Sequence, residues 1–441
     1  MRLFRFLFLA LPTVLLMLLM GVVMNPIHAA EPPAEPPRVP ARLLKARNSL
    51  PNVFAKLKAG KTVRVAYFGG SITAAEGWRP KTLAWLRQRY PKATIEEINA
   101  AIGGTGSDLG VFRFRRDVLD KKPDLVFVEF AVNDGGADPK QIWRGMEGIV
   151  RQAWTTDPTI DLCYVYTTVA GFAGDLENGF CPRAASCDEL LADQYGIPSI
   201  NVGLRAAQMS KAGTLIYTPK KDEAGKELPA APGVLVFSTD GVHPGDAGHE
   251  VYAQVVADAL TQMEASARPG RHRLPRHPFI ADNWEKAKLV PLDRTLVSAG
   301  WAKLDSNAGL GAQFRHRLPE LWEATQPGET LTFTFKGTGA RLYDILGPDG
   351  GQVVVTVDGK SGPPIARFDS FSSYHRLASL TLAENLPDAV HTVSVTLHPD
   401  QPDRRNVTDR EKEKPGFDPK RYDGTAVRVG YLMLLGDLVR R

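Results

Sequence analysis

From Val63 onward, short apolar runs and amphipathic segments take turns. The runs are VRVAYF (63–68), TIEEINA (94–100), DLVFVEFA (124–131), DLCYVYTT (161–168) and PSINV (198–202), and each predicts a strand. Between them KTLAWLRQRY, DLGVFRFRRDVLD, PKQIWRGMEGIVRQAW and SCDELLADQYG predict helices. A last segment, AGHEVYAQVVADALTQM, sets Val251, Val255, Val256, Ala259, Leu260 and Met263 at helical spacing. Strand and helix in strict alternation predict a parallel sheet covered on both faces, over residues 61–266.

Near residue 266 the texture changes to SARPGRHRLPRHP, which is basic, Pro-rich and without period, and predicts a linker over 267–290. Beyond it TLTFTFKG, ARLYDIL, GQVVVTVDG, HTVSVTL and VRVGYLMLL alternate or run apolar, separated by turn clusters such as GPDGG and DGKSGPP. That pattern predicts an antiparallel β-sandwich over 291–441, with the charged stretch 403–424 as an exposed insertion. Residues 31–60 read as a Pro-rich tether followed by a short helix.

The N-terminus has a basic start, an apolar run from Phe6 to Met24, and small residues at Ala29 and Ala30. Residues 1–30 are therefore expected to be a signal peptide, and the protein to be periplasmic or secreted. The run is also long enough for an uncleaved membrane anchor. It holds no cysteine to which a lipid could be attached.

Composition narrows the classes further. A chain of 441 residues is too long for one ordinary core, and 43% apolar with 23% charged residues is globular. The net charge of +5 includes Arg2 and Arg5 of the leader, so the remainder is nearly balanced and lacks the dense basic face of a nucleic-acid binder. Of three cysteines, Cys163 reads as a buried strand residue. Cys181 and Cys187, six apart in CPRAASC, are close enough for a small disulfide, with free thiols as the alternative.

In an open parallel sheet, ligands sit outside the carboxyl ends of the strands. The loops leaving those ends carry Gly69-Gly70-Ser71, then NAAIGGTGS, then AVNDGG, and STDGVHPGDAGH precedes the last helix. They supply a hydroxyl, flexible backbone N–H groups, a side-chain amide, and an Asp with a His three residues on: the parts of a serine hydrolase. Ser71 would be the nucleophile, His243 its base and Asp240 the carboxylate that fixes the imidazole. The N–H groups of Ser71 and Gly104 and the Asn133 side chain are the expected oxyanion donors.

Rival readings fit less well. A P-loop needs a longer loop ending in Lys-Ser/Thr, a dinucleotide fingerprint needs G-x-G-x-x-G, and in G-x-S-x-G the last glycine position is Thr73 here. Asp240, His243, Asp246 and His249 have metal-ligand chemistry but no supporting Cys/His cluster, so neither metal nor cofactor is expected. His249 reads as a surface residue or a support behind the site. Trp78 and Arg79 either line a pocket or serve as core and solvated face, and residues 219–233 form either a flap or an inert loop.

Together FGGSIT, NAAIGG, AVND and DGVHP resemble, in order, the four blocks of the SGNH hydrolases, the GDSL-type esterases and lipases. The resemblance spans residues 63 to about 265. It implies a three-layer α/β/α fold, with Ser71, Gly104, Asn133, Asp240 and His243 in the roles above. One position departs from it: where the family name implies Gly-Asp-Ser, Gly70 replaces the aspartate. The C-terminal strands resemble the jelly-roll accessory domains of some carbohydrate esterases. The expected function is hydrolysis of short acyl, foremost acetyl, esters on a small molecule or polysaccharide, with the C-terminal domain a candidate glycan contact. A lipase, thioesterase or O-acyltransferase of the same family is the alternative, and an inactive glycan-binding protein the non-enzymatic one.

Overall fold

The structure is a computed structural model describing residues 32–440 apart from 224, 266 and 267. The leader therefore lies outside the described residues. The first unit holds strands β1 (Leu44–Lys45), β2 (Thr62–Gly69), β3 (Thr94–Asn99), β4 (Leu125–Glu129), β5 (Asp161–Tyr166) and β6 (Ser199–Asn201). They form one sheet in the order β1-β6-β5-β4-β2-β3. All five predicted strands are present and run parallel, while β1 adds an antiparallel edge that sequence pattern missed because it is two residues long.

Alternation along each strand splits the core in two. Val63, Val65 and Tyr67 of β2, with Leu125 and Phe127 of β4, pack under α1 (Pro51–Lys58), α3 (Trp78–Arg89) and α9 (Asp246–Met263). Ala66, Phe68, Val126 and Val128 point the other way, to α4 (Ser107–Asp117), α5 (Pro139–Thr156) and α7 (Arg183–Tyr195). Every second side chain thus enters a different layer, which makes the unit an α/β/α sandwich. Short helices α2 (Ser71–Ala74) and α6 (Ala173–Glu177), helix α8 (Val202–Lys211), and the paired strands β7 (Leu215–Ile216) and β8 (Leu235–Val236) complete it. Residues 219–233, apart from 224, make a mostly exposed excursion between β7 and β8.

The chain moves from β2 outward to β3 and then back across to β4. The sheet therefore has its switch point between β2 and β4, and the loops after those two strands diverge there.

Among the described residues nine strands form the second unit: β9 (Ala287–Pro291), β10 (Ala302–Lys303), β11 (Trp322–Ala324), β12 (Thr330–Leu346), β13 (Gln352–Val357), β14 (Lys360–Ala366), β15 (Arg376–Ala383), β16 (Ala389–Leu397) and β17 (Val427–Val439). All pairings are antiparallel, as the alternating pattern predicts. TLTFTFKG and ARLYDIL are halves of one strand, β12. Its first half pairs with β16 and its second with β15, with β17 along the other edge and a register shift at Gly337/Gly339. This change of partner folds the sheet into two layers around Leu331, Phe333, Leu342, Val393 and Leu432. In the stretch 403–424, helix α11 (Arg405–Glu411), numbered after α10 (Gly309–Phe314), buries Val407 against Phe368 and Tyr422.

The two units share a core. Ile280 and Trp284 of the basic stretch, and Phe314, Leu318, Tyr343 and Met433 beyond it, belong to the same apolar cluster as α4 and α5. The β-domain is therefore packed onto one face of the α/β unit.

Candidate active site

Ser71 is the first residue of α2, immediately after β2, so its N–H is among those a helix start leaves without an intrahelical partner. Its Oγ lies 2.9 Å from His243 Nε2, and His243 Nδ1 lies 2.8 Å from Asp240 Oδ2. The chain from hydroxyl to imidazole to carboxylate is thus continuous. Asp240 Oδ1 accepts the N–H groups of Val242 and His243, both at 2.8 Å, and the Ser238 hydroxyl at 2.9 Å. The His243 hydrogen bond, with those backbone donors, holds the Asp240 carboxyl well below the usual carboxylate range. It is an anion aimed at the ring nitrogen that does not face Ser71. Half of the Asp240 and His243 side-chain surface is open to solvent, so the site faces outward.

Gly104 and Asn133 sit on the neighbouring loops. A Cβ built on Gly103 would lie 3.5 Å from Ser71 Cβ, which brings the β3–α4 loop beside the nucleophile. Gly104 adopts φ +71°, the left-handed region open to glycine, and is exposed with nothing within 4 Å of its would-be Cβ. Asn133 follows β4. At Gly70, a Cβ would meet Asn133 Oδ1 at 1.9 Å and Cγ at 2.8 Å. With φ −89°, the backbone of Gly70 suits any residue, so the reason for glycine there is space alone. The residue that departs from Gly-Asp-Ser is the one over which the Asn133 amide lies.

Carboxylates missed by sequence reading support these loops from below. Glu129, the last residue of β4, accepts the Thr73 hydroxyl at 2.8 Å, the Thr167 hydroxyl at 2.7 Å and the Gly70 N–H. Burial pushes its carboxyl up to about 7 against those bonds. Asp134 accepts the Ser107 N–H at 3.0 Å at the start of α4, and burial likewise pushes it up to about 7. The only signal in sequence for Glu129 was a lone acid within the apolar run DLVFVEFA.

Other residues fall elsewhere than a pocket or metal reading requires. Trp78 is fully buried against Tyr67 and Phe127, at ring-centroid distances of 5.4 and 5.9 Å, and takes the core reading. Arg79 is neither solvated nor in a pocket. It is buried, donates to the Thr73 carbonyl at 3.2 Å, and pairs with Glu76 and Glu97. His249 is buried, not on the surface: its Nδ1 accepts the Trp78 N–H at 3.3 Å, and burial lowers its pKa. Asp246 pairs with Lys81 at 3.0 Å. Cys181 and Cys187 are both free thiols, because α7 begins at Arg183 and builds Cys187 into its second turn, and Cys163 is buried in β5.

A serine, an imidazole and a carboxylate thus stand in hydrogen-bonded line at the carboxyl edge of a doubly wound sheet, the arrangement that serine hydrolases use. Residues 67–251 match the family model of the GDSL-like lipase/acylhydrolases. The α/β unit is thus similar to that family of lipases and acylhydrolases over most of its length. The whole chain is similar in fold to a two-domain esterase (CEX) active on acetylated mannans: TM-score 0.68, 21% identity, covering 90% of this chain and 98% of that one. The same esterase crystallised with mannopentaose matches at TM-score 0.66 and 21% identity, over 88% and 94%. An uncharacterized lipoprotein, YqeF, of Bacillus subtilis (strain 168) is 34% identical over 76 residues, which cover 16% of this chain. That alignment spans 31% of the curated relative's length.

Proposed function

We propose that the protein is an exported serine esterase that removes short acyl groups, foremost acetyl, from a carbohydrate. The observation that carries the reading is the Ser71–His243–Asp240 chain, with contacts of 2.9 and 2.8 Å. His243 Nε2 takes the Ser71 proton as Oγ attacks the ester carbonyl. The oxyanion that forms is held by the N–H groups of Ser71 and Gly104 and by the Asn133 amide. His243 then delivers the proton to the leaving sugar hydroxyl, and Asp240 stabilises the imidazolium between the two transfers. In the second half His243 deprotonates a water that attacks the acyl-enzyme and releases the acid.

The polymer side of the proposal is supported by the openness of the site, by a two-domain build like that of the mannan-active esterase, and by a leader suited to export. Among the described residues no helix is long and apolar enough to cross a membrane. The test is a series of nitrophenyl esters from acetyl to long-chain acyl beside acetylated mannan and xylan, with a fluorophosphonate probe on wild type and Ser71→Ala. The expected result is short-chain preference, acetate release from a glycan, and labelling only of wild type. Preference for long chains would refute the deacetylase reading, and unlabelled wild type the enzymatic one.

A further inference from the structure

The loop that carries Gly104 is held within its own domain, where the Ile102 N–H donates to the Gly69 carbonyl at 3.0 Å, and is gripped from the β-domain as well. It runs from the end of β3 to the start of α4, and its tip, Gly103 and Gly104, is exposed. The tip is therefore fixed by what grips its two ends. On the entry side Arg317, which follows α10 in the β-domain, donates from Nη2 to the Ala101 carbonyl at 3.0 Å. The buried Arg113 of α4 donates to the adjacent Ala100 carbonyl at 2.5 Å. Asp117, at the end of α4, is shared by both guanidiniums, 3.1 Å from Arg113 and 3.8 Å from Arg317. Arg116 of α4 in turn donates to the Arg317 carbonyl at 2.8 Å.

On the exit side Arg341 of β12 bonds Asp108 at 3.0 Å and also pairs with Glu384. Its guanidinium lies 4.8 Å from the Trp284 ring centre and is almost wholly buried. A guanidinium in that slot presents fixed donors and loses little freedom on bonding. Within the loop, the Thr105 hydroxyl closes onto the Ile102 carbonyl at 2.8 Å. Gly104 is thus bracketed by two β-domain arginines, one three residues before it and one bonded four residues after it.

We propose that the β-domain acts in catalysis as a clamp on this loop, with Arg317 and Arg341 as positioning residues for the Gly104 N–H. The inference rests on the reading of Gly104 as an oxyanion donor. Oxyanion stabilisation depends on donors being in place before charge develops, and displacement by about 1 Å costs on the order of a hundredfold. The clamp therefore acts on the transition state and leaves ground-state substrate binding alone.

The experiment uses the full chain with Arg317→Ala, Arg317→Lys and Asp108→Asn, the last cutting the charge link to Arg341 without emptying its buried slot. On a small soluble acetyl ester, kcat is expected to fall roughly tenfold to a hundredfold in Arg317→Ala and Asp108→Asn, with KM within twofold. Affinity for a boronic acid, whose tetrahedral Ser71 adduct places an oxygen among the donors, falls by the same factor. Arg317→Lys, which can still donate to Ala101, recovers part of the loss. Amide hydrogen exchange over residues 102–105 speeds up in the weakened variants. Folded variants with wild-type kcat, boronate affinity and exchange would overturn the clamp, as would a raised KM at unchanged kcat. Wild-type turnover by Ser71→Ala would instead overturn the reading of the site, and the exchange rates would still decide the clamp.

Discussion

Replacing Gly70 by alanine adds one methyl group where the Asn133 amide now lies. The new Cβ would stand 1.9 Å from Oδ1 and 2.8 Å from Cγ, distances no pair of non-bonded atoms sustains, so one side must move. Gly70 is buried and tied through its N–H to Glu129, whereas Asn133 is exposed and free to swing into solvent. The amide leaves and the loop stays. Folding stability then changes little, but under the proposed mechanism one oxyanion donor is gone, which costs about a hundredfold in kcat, or about 2.7 kcal/mol at 1.36 kcal/mol per decade. The assay is a double-mutant cycle on acetyl ester hydrolysis. Gly70→Ala and Asn133→Ala should each cost about that much, and the double variant no more than Asn133→Ala alone, because the clash disappears with the side chain. Additive losses, or a Gly70→Ala enzyme within threefold of wild type, would refute the reasoning. Gly70→Asp, which writes the family's usual motif into this chain, should behave like the alanine variant.

Asp240→Asn should leave the fold intact and lower kcat on the order of ten-thousandfold, since the imidazole loses its orienting anion; a loss under tenfold in steady-state kinetics would remove Asp240 from the triad. Glu129 offers a test by pH: its folded pKa of about 7 exceeds the unfolded value of about 4.3. Its stabilising contribution is then complete below about pH 4 and lost as pH rises through 7, on the order of 4 kcal/mol. Glu129→Gln cannot titrate, so urea unfolding should show the stability difference moving in the variant's favour from pH 4 to 8; a difference independent of pH would show that Glu129 does not titrate there. Trp78→Ala should cost about 3–5 kcal/mol, measured by denaturant unfolding, by emptying a fully buried site between Tyr67 and Phe127. Because all three thiols are free, a reductant should leave Tm unchanged, and a fall of several degrees would reveal a disulfide.

Most of the architecture was legible along the chain because burial on both faces of a parallel sheet writes itself as short apolar runs between amphipathic helices. Each predicted strand of the first unit is found, and the five long helical patterns match α3, α4, α5, α7 and α9 within a few residues. What escaped were mainly short or exposed elements, together with the strand β15, RLASLTLA. The edge strand β1 is two residues long, and β14, KSGPPIA, is a mostly exposed strand with two prolines that reads as a turn. Strand β12 reads as two because its partner changes midway, and partners are not written in a single strand's pattern. At the site, Ser71, Gly104, Asn133, Asp240 and His243 were named from four loops, and those loops meet in space at the switch point of the sheet.

The division has a physical cause. Local sequence decides which residues are strand, helix or loop, because periodicity and turn chemistry act over a few neighbours, and loop position after a strand already selected the chemistry-bearing side chains. Contacts across the chain were decided only by the tertiary structure. Gly70 looked in sequence like a departure from a motif, and only the placement of Asn133 beside it, 63 residues on, shows that a side chain there has no room. Glu129 looked like an acid in a strand until three donors from the loops after β2 and β5 closed on it. The two domains looked like separate beads on a linker, yet Arg317 and Arg341 reach the loop of Gly104 across a shared apolar core, over more than 200 residues of chain.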